Sequence, residues 1–337
     1  MSNEPAQFDS YICEASQAID AFSLNHAPSA VDQNKRAAKE IKLKDLNPHD
    51  HELFRKAIQK EWETNLENDA IRVIQPLEAQ RIRQHMSHRI MQSRLLHVAK
   101  PLDEVSQVDP STILECSPHV PCKAKSRWVA RGDKDPDMFA VTASSPVIHR
   151  DTFMMGLQAI SSKRWKMHFA DYSQAFMQGD QLQRDEPLYC EPPERELLGL
   201  PPGCLIEICK TVYGLVDAPY RWNQHLDKAF KSLGYTPSIL DPCCYMLHSL
   251  HDTPHGPRKE LEGIIMVATD DLISGGGTKH QALMQQLHDQ YKFGKCTFGS
   301  GRFCGKDLVQ DKDHSIFVSQ QYYTEQKPNS HSKRCQQ

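Results

Sequence analysis

The apolar and polar positions along the chain fall into a few strongly periodic stretches separated by polar ones. Residues 1–45 are polar, mixed in charge and without sustained periodicity, which predicts a disordered N-terminal tail. Periodicity begins near Asp50, where Leu53, Phe54, Ala57, Ile58, Trp62 and Leu66 recur at helical spacing behind an Asp able to cap the helix. A second helix is predicted from Asp151, with Phe153, Met154, Leu157 and Ile160 on one side. The best-marked helix runs from Pro219 to Leu233. Pro219 sits in its first turn, Trp222, Leu226, Ala229, Phe230 and Leu233 form the stripe, and Gly234 stops it. A last helix spans Thr278 to Tyr291, capped by Thr278 after three glycines, with Leu283, Leu287 and Tyr291 inward. Residues 181–203 hold five prolines and read as loop, and residues 326–337 read as a second disordered tail.

Two stretches have the pattern of strands that end on acids. In Lys166–Phe176 the alternation stops at Asp171. In Ile264–Ile273 five apolar residues run into Thr269-Asp270-Asp271, and Leu272-Ile273 follow at once, which predicts a β-hairpin projecting two adjacent carboxylates. Paired acids in a turn are ordinarily soluble turn chemistry. This turn, however, has no Gly, Asn or Pro, and its flanks are apolar. Like charges at such a place repel unless a cation neutralises them. Oxygen ligands suit Mg²⁺, and two ions ~4 Å apart would activate an attacking hydroxyl and stabilise a leaving oxygen in nucleotidyl transfer.

Composition narrows the class. The chain has 337 residues, 39% hydrophobic and 25% charged, with a mean hydropathy of -0.60, enough apolar material for one large domain or two. No apolar run approaches the ~18 residues of a membrane span, which predicts no membrane partner. Met1–Ser10 lacks the basic and apolar regions of a signal peptide. Eleven cysteines in a leaderless chain predict reduced thiols in the cytosol or nucleus. Cys116 and Cys122 have no second pair to complete a zinc site, and most cysteines read as small buried hydrophobes. A net charge of -3 taken alone argues against a nucleic-acid binder. The distribution argues otherwise: residues 81–134 hold ten Lys/Arg against five Asp/Glu, and residues 135–200 six against ten. Phosphate backbones favour the first segment and divalent cations the second. A charge run is ordinarily a solvated face. Here the basic residues from Arg81 to Lys134 interleave with Ile90, Leu95, Leu96, Val98, Trp128 and Val129, which predicts strands with basic outer faces.

A series of motifs, in order, resembles the reverse transcriptase domain of copia-type (Pseudoviridae) LTR retrotransposon polyproteins. Lys125-Ser-Arg-Trp-Val-Ala-Arg-Gly132 resembles K-A-R-L-V-A-K-G, and Ser145-Pro-Val147 the S-P-V after it. Ala170-Asp-Tyr-Ser-Gln-Ala-Phe-Met-Gln-Gly-Asp180 is similar to L-D-V-K-T-A-F-L-H-G-D. Val212-Tyr-Gly-Leu-Val-Asp-Ala-Pro-Tyr-Arg-Trp222 resembles L-Y-G-L-K-Q-A-P-R-x-W, and Asp241-Pro-Cys243 the D-P-C that follows. Ala268-Thr-Asp-Asp271 occupies the place of Y-V-D-D, and Arg302-Phe-Cys-Gly-Lys306 that of the x-L-G primer-grip turn. The resemblance covers roughly residues 46 to 325.

The resemblance implies an α+β fold, a right-hand polymerase of fingers and palm with an antiparallel palm sheet backed by helices and a truncated thumb. A leading helix and fingers would occupy 46–165, and the palm with the start of the thumb 166–325. It implies an RNA-directed DNA polymerase that binds an RNA or DNA template with its primer, together with dNTPs. Catalysis would fall to Asp171, Asp270 and Asp271, holding two Mg²⁺ (or Mn²⁺) with help from the Tyr172 carbonyl. Phe176 matches the aromatic that crowds the sugar 2′ position, with a core aromatic as the plainer reading. Lys125, Arg127 and Arg131 become triphosphate candidates, and strand alternation is expected to let only one or two of them face a nucleotide. The implied setting is a cytoplasmic virus-like particle or the nucleus, with RNase H and integrase segments on a parent polyprotein.

Three departures qualify the match. The usual Tyr and Val of Y-V-D-D are Ala268 and Thr269; the usual Gln of L-K-Q-A-P, which in the family lies beside the incoming nucleotide, is Asp217, which would repel a triphosphate it faced and also suits an N-cap for the Pro219 helix; and the family's thumb, connection and RNase H segments are not found in the chain. The other readings are a decayed relic that folds or binds nucleic acid, and a metal-dependent nuclease using the same acids.

Overall fold

The computed structural model describes residues 40–102, 108–117, 120–254 and 256–320, so both expected tails lie largely outside the described residues. In chain order the elements begin with α1 (Pro48–Glu67), β1 (Ile71–Ile74), α2 (Pro76–His85), β2 (Ile90–Pro101) and β3 (Cys122–Ala130). There follow α3 (Arg150–Ser162), β4 (His168–Tyr172), β5 (Leu188–Glu191), β6 (Leu205–Ile208) and α4 (Ala218–Ser232). The chain closes with β7 (Thr236–Pro237), β8 (Cys244–Thr253), β9 (Gly256–Ala268), β10 (Asp271–Gly276) and α5 (Thr278–Gln290), then β11 (Phe293–Phe298), β12 (Ser300–Phe303), β13 (Lys306–Gln310) and β14 (Ile316–Ser319). Among the described residues no helix is long and apolar enough to cross a membrane.

The chain forms two compact units. The first gathers the chain up to Glu67, Ile71–Lys134 and Glu186–Glu207; the second gathers Asn68–Ala70, Asp135–Asp185 and the chain from Ile208.

In the first unit a five-stranded sheet runs β1-β6-β5-β2-β3, with β2 antiparallel to β3 and parallel to β5. Buried Phe54, Ile58 and Trp62 line the inner face of α1, and Trp62 meets Trp128 edge-on at 6.5 Å. Leu66 sits on the outer side of that helix. The start of α1 differs from expectation. Asn47 caps it, accepting the Asp50 amide at 2.8 Å ahead of Pro48, whereas Asp50 is buried and accepts the amides of Glu115 and Cys116 at 2.8 and 2.7 Å. Arg81 and Arg83 lie on α2 rather than on a strand, and Arg83 binds Glu191. Glu191 belongs to β5, a four-residue strand inside the stretch expected to be loop.

In the second unit a six-stranded sheet runs β11-β4-β10-β9-β8-β7, antiparallel at every pairing. Its centre is buried on both faces, which explains the apolar run Ile264–Ala268 in the second half of β9. Ala170, Tyr172, Ile265, Val267 and Leu272 pack on α4 and α5, against Trp222, Leu226, Phe230, Met284 and Leu287. Phe169, Ile264, Met266 and Ile273 face the other way onto Phe153, Leu157 and Ile160 of α3. Met154, expected inside, is exposed, because the stripe of α3 passes through Gly156 instead. Gly277 takes the N-cap position of α5 ahead of Thr278. The Cys304-Gly305 turn joining β12 and β13 has φ of 49° and 72°, as a tight two-residue hairpin requires. The unit is a mixed α/β assembly around an antiparallel sheet.

Five of the described cysteines (Cys122, Cys190, Cys204, Cys243 and Cys244) are buried as expected, whereas Cys116, Cys296 and Cys304 are exposed.

Candidate active site

The expected hairpin forms. Ala268 pairs with Asp271, leaving Thr269 and Asp270 as the two-residue connection between β9 and β10. Strand β10 then lies antiparallel to β4 in a register that sets Asp271 opposite Asp171, Leu272 opposite Ala170 and Ile273 opposite Phe169. The Tyr172 amide donates to the Asp270 carbonyl at 2.9 Å, tying the turn to the end of β4. All three aspartates are therefore brought to one end of the sheet, each partly exposed.

The turn is strained at Thr269, a β-branched residue at φ 58°. Its carbonyl accepts the indole N–H of fully buried Trp222 at 2.9 Å, which fixes the turn from α4. Trp222 also meets the Tyr172 ring edge-on at 5.1 Å, and Phe293 lies 4.5 Å from the other side of that ring. The sequence places Trp222 on the apolar stripe of α4 but carries no local signal for this hydrogen bond.

On the opposite edge of β4 the ladder slips. Phe293 pairs with Tyr172 and Cys296 with Ala170, so Gly294 and Lys295 together oppose Asp171 in a β-bulge. A Cβ at Gly294 would lie 3.2 Å from Asp171 Oδ2, so glycine lets the bulge approach the carboxylate.

Crowding changes the chemistry of the acids. Burial, followed by the charges of Asp270 and Asp171, pushes the Asp271 pKa up to about 6. A site that raises a carboxylate pKa in this way is stabilised by a cation. Its donors are carboxylate oxygens, which fits a hard divalent ion such as Mg²⁺ or Mn²⁺.

Phe176 follows β4 in a short 3₁₀ turn, partly buried against the α4 side of the core, with the Tyr213 ring edge-on at 5.2 Å. Asp217 departs from its expected capping role. It stands at the N-cap position of α4 but makes no capping hydrogen bond. Its buried carboxylate binds Arg221 at 2.5 Å and Arg184 at 2.9 Å, and Arg184 also reaches Asp135 at 3.1 Å. Arg184 was not foreseen, since nothing local to it signals this role. The clamp turns the Asp217 carboxylate toward two cations, which answers the repulsion expected had it faced a triphosphate.

Lys125, Arg127 and Arg131 belong to the first unit. Lys125 and Arg127 are two apart on β3 and share one face. Arg131 lies just past the strand end and is paired with Asp133 at 2.5 Å.

A mixed α/β fold with three carboxylates gathered at a hairpin and a strand end defines a class, and comparison with known proteins gives the family. The reverse transcriptase (RNA-dependent DNA polymerase) family matches residues 115–327, more than half of the chain, and the chain belongs to it. It is similar to the Pol polyprotein of transposon TNT 1-94 from Nicotiana tabacum, at 24% identity over 188 residues, 54% of this chain and 13% of the relative. It is also 28% identical over 158 residues to the polyprotein of transposon RE2 from Arabidopsis thaliana, covering 46% of this chain and 10% of that one. These relatives are copia-type, and the chain spans roughly a tenth of their length. Among solved structures, the foamy viral protease-reverse transcriptase in complex with dsDNA aligns at a TM-score of 0.42 and 10% identity, over 83% of this chain and 44% of that one.

Proposed function

We propose that this chain extends a primer 3′-hydroxyl with deoxynucleotides on an RNA or DNA template, the second unit acting as palm and the first as fingers. The observation that carries the reading is the pairing of Asp171 with Asp271, with Asp270 in the adjoining turn. Asp171 and Asp270, with Asp271 and the Tyr172 carbonyl, would hold two divalent ions. Bound there, such ions would supply activation of the hydroxyl and neutralisation of the leaving pyrophosphate. The protein's own share is positioning and charge. Trp222 and the Tyr172 amide hold the turn, the Gly294 bulge sets Asp171, and Phe176 backed by Tyr213 crowds the sugar 2′ position. Lys125 and Arg127 contact the triphosphate from their shared face. RNase H and integrase activities belong to other segments of the parent polyprotein, which works in cytoplasmic particles or the nucleus.

The test is Mg²⁺-dependent primer extension on an RNA template, beside Asp270→Asn. Extension by the native chain, lost by ~10²-fold or more in the variant, supports the reading. Extension that persists in the variant refutes the metal assignment. A well-folded native chain that extends nothing supports a relic. Phe176→Ala should admit ribonucleotides, and Arg127→Ala should raise the KM for nucleotide.

A further inference from the structure

Away from the three aspartates, the second unit holds a set of softer donors that polymerisation leaves unused. His168 opens β4, directly across from Phe298 of β11. Cys296 lies two residues before Phe298 and therefore on the same face of the sheet. His288 comes from the last turn of α5, which packs over that face. The candidate ligand atoms of His168, His288 and Cys296 all lie within 4.8 Å of one another. The three residues line one cavity, with Lys166, Gly275, Met284 and Phe298 among its walls.

His168 is the anomaly. It is only 6% exposed, and its Nε2 is buried without a hydrogen-bond partner. Leaving such an atom unsatisfied forfeits the hydration it would have in the unfolded chain. Its other nitrogen, Nδ1, lies 3.4 Å from the hydroxyl of fully buried Ser274, the residue paired with it on β10. A metal-bound histidine ordinarily has this arrangement: one ring nitrogen is oriented by a polar neighbour, leaving the other for the ligand.

We propose that His168, His288 and Cys296 bind a zinc-class transition-metal ion that clamps β4 to β11 and α5. Two imidazoles and a thiolate favour a borderline-soft ion over Mg²⁺. Ligand atoms on a tetrahedral zinc stand about 3.4–3.6 Å apart, given bonds of about 2.0–2.3 Å. Rotamer adjustment of half-buried His288 and exposed Cys296 closes the difference. The Cys296 thiol releases its proton to solvent on binding, and a water from the cavity completes the tetrahedron. His168 lies three residues before Asp171 on the same strand. Steadying Asp171 is thus the consequence of the clamp, and that consequence rests on the polymerase reading; ion binding does not.

The probe is Co²⁺, titrated into the full chain after chelator treatment. One thiolate-ligated Co²⁺ per chain is expected, with a thiolate-to-cobalt charge-transfer band and tetrahedral visible bands, both abolished by equimolar Zn²⁺. Cys296→Ala should remove the charge-transfer band, and His288→Ala should weaken affinity by about tenfold or more. Both residues lie at or near the surface, and circular dichroism checks that the variants fold. Zn²⁺ should raise the Tm of the native chain and leave that of Cys296→Ala unmoved. Asp270→Asn should keep the full cobalt spectrum, which separates this site from the aspartates. Absence of the sulfur band in the native chain, its survival in Cys296→Ala, or an equal Tm shift in both proteins would overturn the proposal.

Discussion

Asp271 stands directly across the ladder from Asp171, so that two carboxylates share the end of one strand pair. With its pKa raised from the ordinary 3.8 to about 6, Asp271 keeps its proton more tightly in the folded protein than in the unfolded chain. Between about pH 4 and 6 the native state binds more protons. This group's contribution to stability is therefore fully present below pH 4 and lost as the pH rises through 6. Asp271→Asn should leave the metal-free protein more stable than the native chain at pH 7, with a smaller gain at pH 4. Guanidinium unfolding in chelator at the two pH values measures this, and an equal gain at both would count against the crowding.

Replacing Asp217 by the glutamine usual in the family should harm this chain. Arg184 is nearly inaccessible to solvent and shared between Asp217 and Asp135, so the loss of one charged hydrogen bond while the other remains costs about 1–3 kcal/mol. Asp217→Gln should lower the unfolding free energy by that order. An unchanged denaturation midpoint would show that the clamp is not an energetic unit.

Thr269 holds its turn at a backbone angle that favours glycine. Thr269→Gly keeps the carbonyl that Trp222 binds and relieves strain of about 1 kcal/mol. Stability should rise by roughly that amount. A fall would mean that the threonine side chain makes a compensating contact.

Gly294→Ala places a methyl group against Asp171 Oδ2. The carboxylate must shift by a few tenths of an ångström, and primer extension should drop several-fold while the Tm moves by no more than about 2 °C. Native activity in this variant would remove the bulge from the account of the site.

Much of the fold was legible because its helices are strongly amphipathic. The stripe from Trp222 to Leu233 and the glycines before Thr278 bracket α4 and α5 to within a residue, and the apolar run into Thr269-Asp270-Asp271 forms the hairpin. What escaped depends on distant partners. Asp50 leaves its expected capping role because two amides 65 and 66 residues away claim it. Strand β5 is four residues among prolines and gains its identity from pairing in parallel with β2, about a hundred residues earlier. The aspartates were readable from motif order. The parts that hold them, the indole of Trp222 and the bulge at Gly294, have no local signature, and neither does the pairing of Arg184 with Asp217.

The division of the chain also governs how it can be damaged. Passing along it, one leaves one unit for the other after residues 67, 70, 134, 185 and 207. A stop codon at any of the first four places strips strands or helices from both units, and only one after residue 207 spares the first unit. A working second unit requires residue 185 to be rejoined to 208, and a copy that stops at or before residue 185 should lose both units together.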